Sequence, residues 1–389
     1  MTGEIRRVAM VSMHTSPTAP PGIADAGGMN VAMLATAREL ALRGVEVDLI
    51  TRATRAPTTT QLGPGVTLHE LPAGPSGELS KDELPDVADG FGEAVARLAG
   101  RDSVPYDVIH AHYWLSGIAT LPVALELGIP FVQAFHTLGA MKNAATGDAA
   151  EPERRVRSEM FLANQADAVI AGSSAEAASL IDLVRAPAER VWVIPPGVDL
   201  ELFAPGRARW VTDGRPIVAM VGRVQPLKGQ DLAIRAVAAL GRDVQLVIAG
   251  EATPGDEEYA ASLRRMGGDV RFVGALDREA LAGLLAAASV TLVPSHSETF
   301  GLVALESAAS GTPVVASRVA GLVESVAEGE SGVLVDSREP EDWARAIAGV
   351  LDEPGRYAAS AREHAERFSW ATAAASLLGV YASLLRRRP

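Results

Sequence analysis

Cysteine is absent from this chain of 389 residues, which excludes disulfide bridges, thiolate metal sites, iron–sulfur clusters and cysteine nucleophiles. Positive charge is also scarce, because 35 Lys and Arg residues stand against 48 Asp and Glu residues and the net charge is −13. Binding to nucleic acid without sequence preference needs a basic face, so we expect no nucleic-acid partner. An anionic ligand would need a local cluster of cations.

Long apolar runs are missing as well. No stretch of about eighteen apolar residues occurs, so we expect no stable insertion into a membrane. The segment Met1–Thr15 lacks the apolar core of a secretory signal peptide, and we expect a cytoplasmic protein. We interpret the arginines at 386–388 as favourable charge at a helix end rather than as a membrane contact.

Common enzyme motifs are absent too. No Gly-x-Gly-x-x-Gly run stands at a strand–helix junction, so the chain lacks the usual dinucleotide fingerprint. No Gly-x-Ser-x-Gly run occurs, which argues against a serine hydrolase. The function must therefore be sought in other glycine-rich and charged segments.

The chain does contain an alternation of short apolar runs and longer Ala/Leu-rich helical segments. One series extends from residue 8 to 171 and a second from 217 to 335, with a Pro- and Gly-rich stretch at 196–214 between them. Continuous apolar strands that alternate with helices form parallel sheets covered on both faces. The sequence therefore predicts an α/β protein of two doubly wound domains.

Two glycine-containing segments could hold a phosphate. Gly27 and Gly28 lie between the first predicted strand and a helix at 31–43, where free N–H groups and close backbone approach suit an anion. An ordinary strand–helix turn explains them equally well. Gly222–Gly229 directly follows the strand at 217–221 and carries Arg223 and Lys228. The guanidinium of Arg223 and the ammonium of Lys228, placed beyond a strand's carboxyl end, could bind an anion. The alternative is that both are solvated surface cations.

A pair of glutamates follows a later strand. Glu298 and Glu306 are separated by seven residues, and a helix that starts near Gly301 would place both by its N-terminus. Such carboxylates can accept hydrogen bonds from sugar hydroxyls or act as acid and base. The alternatives are a capping carboxylate for Glu298 and a solvated helix face for Glu306.

Three histidines lie near predicted strand ends. His110 and His112 share one face of a strand at 108–112, a spacing that could bind a metal, but the strand itself carries no carboxylate to complete a site. We therefore expect no metal site. His136 follows an apolar strand and opens a glycine-containing loop, so we expect it to face a ligand.

Taken in order, the Arg223/Lys228 run, the glutamate pair and Gly311–Val315 resemble the retaining glycosyltransferases of family four, which have the GT-B fold of two facing Rossmann-like domains. The resemblance implies an acceptor-binding domain at 1–200, a donor-binding domain at 201–369, and a final helix at 370–389 that crosses back to the first domain. It also implies a nucleotide-sugar donor, either a UDP- or a GDP-sugar, as substrate, with no cofactor.

The resemblance assigns roles to residues. Arg223 and Lys228 would bind the donor diphosphate, Glu306 the ribose, and Glu298 the transferred sugar. His136 would lie at the reacting centre, so the implied catalytic set is His136, Glu298, Arg223 and Lys228. The remaining donor-binding positions are Gly28, Phe272, Phe300, Gly301 and Leu302.

A narrower resemblance concerns the first half of the chain. The segments Ser12–Pro17, Asp25–Val31, Thr51–Thr54, His112–Gly117, His136–Leu138 and Lys142–Asn143 are similar to the branch of this family that transfers N-acetylglucosamine from UDP to inositol phosphate in mycothiol biosynthesis. The acceptor-binding positions would be Asn30, Lys81, Tyr113, Thr137 and Arg155. Two cations and two hydroxyl donors form a credible phosphate cradle.

Departures from that branch leave alternatives open. Gly250–Gly255 and Ala320–Val323 differ from the usual Gly-Gly-Pro-Ser-Gly and Gly-Gly-Leu-Pro on the donor side, and the residues after Arg155 differ beside the acceptor. A paralogue in specialised metabolism with another donor sugar and acceptor fits these changes. A sugar-nucleotide epimerase and a binding protein without catalysis are further alternatives.

The expected mechanism follows from what is present. No Asp-x-Asp pair is available to hold a divalent metal on a diphosphate, so we expect metal-independent transfer. The resemblance to retaining enzymes implies retention of configuration, which we expect to occur by same-face attack. Arg223, Lys228 and the Gly28 N–H would stabilise the leaving group. The expected partners are small molecules, and a homodimer is left open.

Overall fold

The computed structural model describes residues 4–22, 25–101, 104–146, 151–207, 210–253 and 255–386. The chain forms two compact units. Unit 1 comprises Met1–Ala19, Gly28–Pro195 and Trp370–Pro389, and unit 2 comprises Pro20–Gly27 and Pro196–Ser369. Sequence reasoning placed the division at residue 200 and did not anticipate that Pro20–Gly27 groups with unit 2.

Unit 1 is built on an eight-stranded sheet in the order β3-β4-β2-β1-β5-β6-β7-β8. Neighbouring strands are parallel except for β3 and β4, which are antiparallel. The strands are β1 Arg7–Val11, β2 Glu46–Arg52, β3 Thr58–Gly63, β4 Val66–Leu71, β5 Val108–His112, β6 Phe131–Ala134, β7 Ala168–Ala171 and β8 Val191–Val193. All residues of β1 and β5 are buried, as expected for strands covered on both faces.

The helices of unit 1 that precede the second sheet are α1 Gly28–Ala41, α2 Ala88–Ala99, α3 Trp114–Leu127, α4 Gly139–Thr146, α5 Glu153–Gln165 and α6 Ser174–Asp182. The start of α6 shows why the sequence folds there, because the Ser173 hydroxyl accepts a hydrogen bond from the Glu176 N–H at 3.1 Å. Gly128, in the left-handed conformation, ends α3.

Unit 2 holds a six-stranded, fully parallel sheet in the order β11-β10-β9-β12-β13-β14. Its strands are β9 Ile217–Val221, β10 Gln245–Ala249, β11 Val270–Gly274, β12 Val290–Val293, β13 Val314–Ser317 and β14 Gly332–Val335. Its helices are α7 Gln230–Leu240, α8 Glu257–Arg265, α9 Arg278–Ala287, α10 Leu302–Ala309, α11 Leu322–Ser325, α12 Pro340–Asp352 and α13 Ala358–Glu366.

The last helix, α14 (Trp370–Arg386), belongs to unit 1 and packs against α1. Its residues Ala374, Leu377 and Tyr381 are buried in the same hydrophobic cluster as Leu40 of α1. This placement confirms the predicted return of the C-terminal helix and accounts for its apolar face. Arg387 and Arg388 of the basic tail lie outside the described residues.

The edge of the first sheet was not predicted. The hairpin of β3 and β4 makes that edge antiparallel in an otherwise parallel sheet. The sequence of β3 is Thr-Thr-Thr-Gln-Leu-Gly, and most of this strand is exposed. It therefore has no apolar run from which a strand could be predicted. The described residues contain no helix long and apolar enough to cross a membrane.

Two glycines of α2 provide a matched test of its packing. A Cβ added at Gly92 would lie 2.4 Å from the carbonyl oxygen of Ala119 in α3, whereas one added at Gly90 meets nothing within 4 Å. We expect Gly92→Ala to destabilise the protein by about 1–3 kcal/mol through overpacking. Gly90→Ala should be neutral or stabilise it by about 0.5–1 kcal/mol, since Ala favours helix. Urea unfolding measures both, and equal effects would contradict this packing of α2 on α3.

Candidate functional site

Unit 2 places Lys228 and Glu298 together beyond the carboxyl ends of its strands. Lys228 ends a short 3₁₀ turn after β9, and its ammonium donates a hydrogen bond to a carboxylate oxygen of Glu298. The Ser295 hydroxyl donates to the same oxygen at 3.1 Å. Gly229, with φ of 74°, follows Lys228, and a Cβ there would lie 2.3 Å from the Pro294 carbonyl oxygen. The glycine therefore lets the two loops approach closely enough for the ion pair.

Arg223 lies in the same loop as Lys228. Its guanidinium is 3.6 Å from a carboxylate oxygen of Asp25, and both side chains are partly exposed. The buried amide of Gln230 donates to the Arg223 carbonyl at 2.9 Å and so fixes the backbone there. The Lys228 stem extends along Gly222, beside Arg223 in sequence, so the loop presents two cations. This arrangement favours the anion-site interpretation of Gly222–Gly229.

The loop that carries Glu298 is fixed by close backbone contacts. The Gly321 N–H donates to the Glu298 carbonyl oxygen at 3.0 Å. Gly301 begins α10 with φ of 96°, and a Cβ there would lie 2.5 Å from Leu322. The Phe300 ring is buried against Phe368, with ring centroids 5.5 Å apart. Of the predicted donor-binding positions here, Phe300 can therefore offer a ligand its backbone but not its ring, and Leu302, half-buried, opens the helix.

Glu306 does not lie on a solvated helix face. It is 4% exposed, and Arg278 of α9 donates a hydrogen bond to its carboxylate. Burial raises the pKa of Glu306, and the positive charge of Arg278 acts in the opposite direction. The solvated alternative considered from sequence is thus wrong. A ribose-binding role for Glu306 stays a prediction.

A pocket of about 220 Å³ opens at the carboxyl ends of β9, β10 and β11. Phe272 is one of its walls, and the Arg264 guanidinium lies 4.7 Å from the centre of that ring. Gly250, at the pocket, would place a Cβ 2.0 Å from the Gly222 carbonyl oxygen, so only glycine fits there. Its lining is Val224, Gly250, Glu251, Ala252, Ala260, Arg264, Phe272 and Gly274. A half-buried aromatic ring in a small pocket suits a flat heterocycle.

Unit 1 brings three of the five predicted acceptor residues into contact. Arg155 of α5 is 2% exposed, and one of its terminal nitrogens donates to the Thr137 carbonyl at 2.8 Å and the Thr137 hydroxyl at 2.9 Å. Its guanidinium lies 5.0 Å from the centre of the Tyr113 ring. Burial raises the pKa of Tyr113, so its hydroxyl stays protonated and able to donate.

Two carboxylates neutralise Arg155. Its Nε donates to Glu159 at 2.7 Å, and a terminal nitrogen donates to Glu151 at 2.7 Å. Glu159 is fully buried and also accepts the Gly139 N–H at 2.9 Å, and burial raises its pKa against the effect of Arg155. Glu151 also accepts from Lys142 at 2.6 Å. Burial alone would raise the pKa of Glu151, but the charges of Arg155 and Lys142 outweigh burial, so that pKa is lowered.

The other two predicted acceptor residues differ in their surroundings. Lys81 is exposed in the loop before α2. Burial and the charge of Arg155 lower the pKa of Lys142, and the charge of Lys81 makes a smaller contribution in the same direction, so Lys81 lies close to Lys142. Asn30 of α1 is 1% exposed, and its amide donates to the Thr15 hydroxyl at 3.1 Å and the Ser16 carbonyl at 2.6 Å. Asn30 thus holds the loop after β1.

Gly28, predicted to contact the donor, is the first residue of α1, in a turn whose N–H groups lack helical acceptors.

His110, His112 and His136 lie in contact with one another. His112 Nδ1 and His136 Nε2 are 2.7 Å apart, and His110 Nδ1 lies 2.7 Å from the Tyr381 hydroxyl. Burial lowers the pKa of His136 to about 4 and that of His110 to about 3. At neutral pH His136 is therefore uncharged and can make hydrogen bonds but carries no positive charge. Within the described ranges, no group of three or more His, Asp and Glu residues is placed to hold a metal ion.

Sequence reasoning missed Lys142, Glu151 and Glu159 as parts of the acceptor-side cluster. A signal was available, because residues 151, 155 and 159 follow one another at the i,i+4 spacing that brings side chains together on a helix face. In unit 2 it missed Arg278, which lies 28 residues from Glu306 and has no local signal.

With this geometry established, comparison with known proteins defines the class. Residues 27–197 match the family model described as "Glycosyl transferase 4-like domain", and residues 207–369 match the one described as "Glycosyl transferases group 1". Two parallel-sheet units of this kind are the GT-B architecture, as predicted.

Individual relatives agree with this family assignment. The D-inositol 3-phosphate glycosyltransferase of Acidothermus cellulolyticus is 45% identical, over 98% of this chain and 91% of that protein. Sucrose-phosphate synthase from Thermosynechococcus elongatus is 32% identical with a TM-score of 0.90, covering 98% of this chain and 100% of that one. Anabaena Alr3699/HepE, solved with UDP and glucose, is 20% identical with a TM-score of 0.78, covering 98% and 100%. That last likeness concerns the fold alone.

The chain therefore belongs to the GT4-like, group 1 family of GT-B glycosyltransferases, and it is a glycosyltransferase. The family predicted from the motifs is confirmed.

The ion pair of Arg278 and Glu306 generates a pH-dependent prediction. Arg278→Ala leaves the buried Glu306 carboxylate unpaired, so we expect a loss of about 3 kcal/mol in unfolding free energy at pH 8, the low end of the usual cost because the Arg278 side chain is 28% exposed. Arg278 opposes the upward shift of the Glu306 pKa, so without it that pKa rises further. Glu306 then takes up a proton in the folded state as pH falls, and the loss shrinks at pH 5. Urea unfolding at both pH values measures this.

The double variant Arg278→Ala/Glu306→Gln is the control. It should show no such difference between pH 8 and pH 5, because no buried carboxyl is left to titrate at this position. A loss that is independent of pH in the single variant would contradict the account.

Proposed function

We propose that the protein transfers a sugar, N-acetylglucosamine or one like it, from a nucleoside diphosphate donor to a hydroxyl of a small phosphorylated polyol such as inositol phosphate. The observation that carries the proposal is the cluster of Arg155, Lys142 and Thr137 in unit 1, with Lys81 nearby, because its cations and hydroxyl suit a phosphate. The relatives named for inositol 3-phosphate support the same acceptor.

The donor would bind to unit 2. Its heterocyclic base would enter the pocket beside Phe272, and its diphosphate would bind Arg223 and Lys228. Anabaena HepE, which shares the fold, was solved with UDP, which supports a uridine donor. Because Glu298 neutralises Lys228 in the present structure, we expect the diphosphate to compete with Glu298 for that ammonium.

The proposed reaction needs neither a metal nor a cofactor. The bond between the sugar C1 and the diphosphate oxygen breaks while the acceptor oxygen bonds to C1 on the same face, so configuration is retained. The departing phosphate oxygen takes the acceptor proton. Arg223 and Lys228 stabilise the charge that develops on the leaving group. His136, being neutral, orients a hydroxyl by a hydrogen bond. Trapping of a covalent glycosyl-enzyme would overturn same-face attack.

One observation favours a different donor as the alternative. Glu251 lines the base pocket, in the run Gly250–Gly255 that departs from the usual sequence of the inositol phosphate branch. A carboxylate there can accept hydrogen bonds from a base edge rich in donors, such as that of guanine. The proposal is tested by calorimetry with UDP and GDP, followed by mass spectrometry of products from their sugars. Transfer only to unphosphorylated acceptors would refute the proposed acceptor.

Lys228→Ala tests the donor side. We expect kcat to fall on the order of 10²–10³-fold at saturating donor, because the ammonium stabilises charge that develops in the transition state. The matched control is Arg345→Ala, which removes a cation of unit 2 whose side chain is 73% exposed. Steady-state kinetics of both variants give the comparison, and unchanged turnover in Lys228→Ala would remove Lys228 from the site.

Arg155 tests the acceptor side. Arg155→Ala alone would leave Glu159 buried without its partner, so it is combined with Glu159→Gln. We expect kcat/KM for inositol phosphate to fall about 10–100-fold, the contribution of one charge-assisted hydrogen bond, and to fall far more than kcat/KM for inositol. An equal fall with both acceptors would argue against a phosphate at Arg155.

A further inference from the structure

Glu151 occupies the point where two cations of unit 1 converge. One of its carboxylate oxygens lies 2.6 Å from Lys142 Nζ, and the other lies 2.7 Å from a terminal nitrogen of Arg155. Two oxygens that bridge an ammonium and a guanidinium make the contacts that two oxygens of a phosphate would make. The carboxylate therefore stands in the position that suits an anionic ligand.

Glu159, the other carboxylate on Arg155, is held differently. Glu159 lies within α5, is fully buried and is fixed by both the Arg155 Nε and the Gly139 N–H. Glu151 lies before the start of α5, and its side chain is 18% exposed. Its backbone N–H donates to the Asn143 side chain at 2.8 Å, which keeps the residue in place without burying its carboxylate. Glu159 is thus a permanent partner of Arg155, whereas Glu151 can leave.

Among the described residues, the charges near Glu151 favour a phosphate once Glu151 has left. Lys142 and Arg155 carry the two positive charges that Glu151 bridges, Lys81 adds positive charge close to Lys142, and Glu159 keeps one negative charge on Arg155. The excess of positive charge suits a phosphate monoester, which carries about −1.5 to −2 near pH 7. With Glu151 in place, the same cations meet one further carboxylate and attract a phosphate less.

We propose that Glu151 is an internal substitute for the acceptor phosphate: it holds Lys142 and Arg155 in place in the free enzyme, and a phosphorylated acceptor must displace it. Glu151 thereby sets how strongly the enzyme prefers phosphorylated over neutral acceptors. This inference rests on the proposed acceptor class. It makes Glu151 a specificity-determining residue that keeps the buried cations paired and their geometry intact until the acceptor binds.

The test is Glu151→Gln, which keeps the size of the side chain and removes its charge. We expect inorganic phosphate and D-inositol 3-phosphate to bind about tenfold more tightly to the variant than to the unaltered enzyme. The ratio of their affinities to that of inositol should rise by the same factor. Calorimetry with UDP present measures all three ligands, and thermal unfolding checks that the variant is folded.

Glu153→Gln is the matched control. Glu153 lies two residues away, pairs with Arg157 and has a side chain that is 76% exposed, so its loss should leave the affinities for phosphate unchanged. Weaker or unchanged phosphate binding in Glu151→Gln would overturn the inference and show that Glu151 only joins α4 to α5. Tighter binding of inorganic phosphate without transfer to any phosphorylated acceptor would uphold the role of Glu151 and refute the proposed function instead.

Discussion

The buried ion pair of Arg155 and Glu159 is the constraint on which the segments after β5 and β6 of unit 1 depend. Burying two charges is favourable only when each finds its full set of partners. Arg155 finds Thr137 after β6 and Tyr113 after β5, and Glu159 finds the first N–H of α4. One pair thus ties two strand ends to two helices and fixes Arg155 beside Lys142 and Thr137.

Unit 2 stabilises its buried and partly buried charges with two separate ion pairs. Lys228 is held by Glu298, and Glu306 is held by Arg278, each between loops or helices distant in sequence. In both units the cations that suit an anionic ligand already have carboxylate partners. Under the proposed function, an anionic substrate would therefore exchange partners with these carboxylates. A net charge of −13 does not oppose the proposal, because local charge governs the field at a site.

Sequence patterns predicted the parts of the fold that rest on continuous apolar runs. Strands such as β5 and β9 follow directly from such runs. The ordered motifs indicated the family, and the family resemblance implied the return of α14 to unit 1. The hairpin of β3 and β4 was missed because its exposed Thr-rich strand is specified by pairing, not by burial. The surroundings of Glu306 and Phe300 could not be predicted, because their partners, Arg278 and Phe368, are brought to them only by the tertiary fold.

The central claim is that a phosphorylated acceptor replaces Glu151 on the two cations of unit 1. The most direct measurement is a crystal structure of the enzyme with UDP and D-inositol 3-phosphate. The account predicts phosphate oxygens within hydrogen-bond distance of Lys142 and Arg155, and the Glu151 carboxylate moved away from both. A phosphate bound elsewhere, with Glu151 still bridging the two cations, would contradict it.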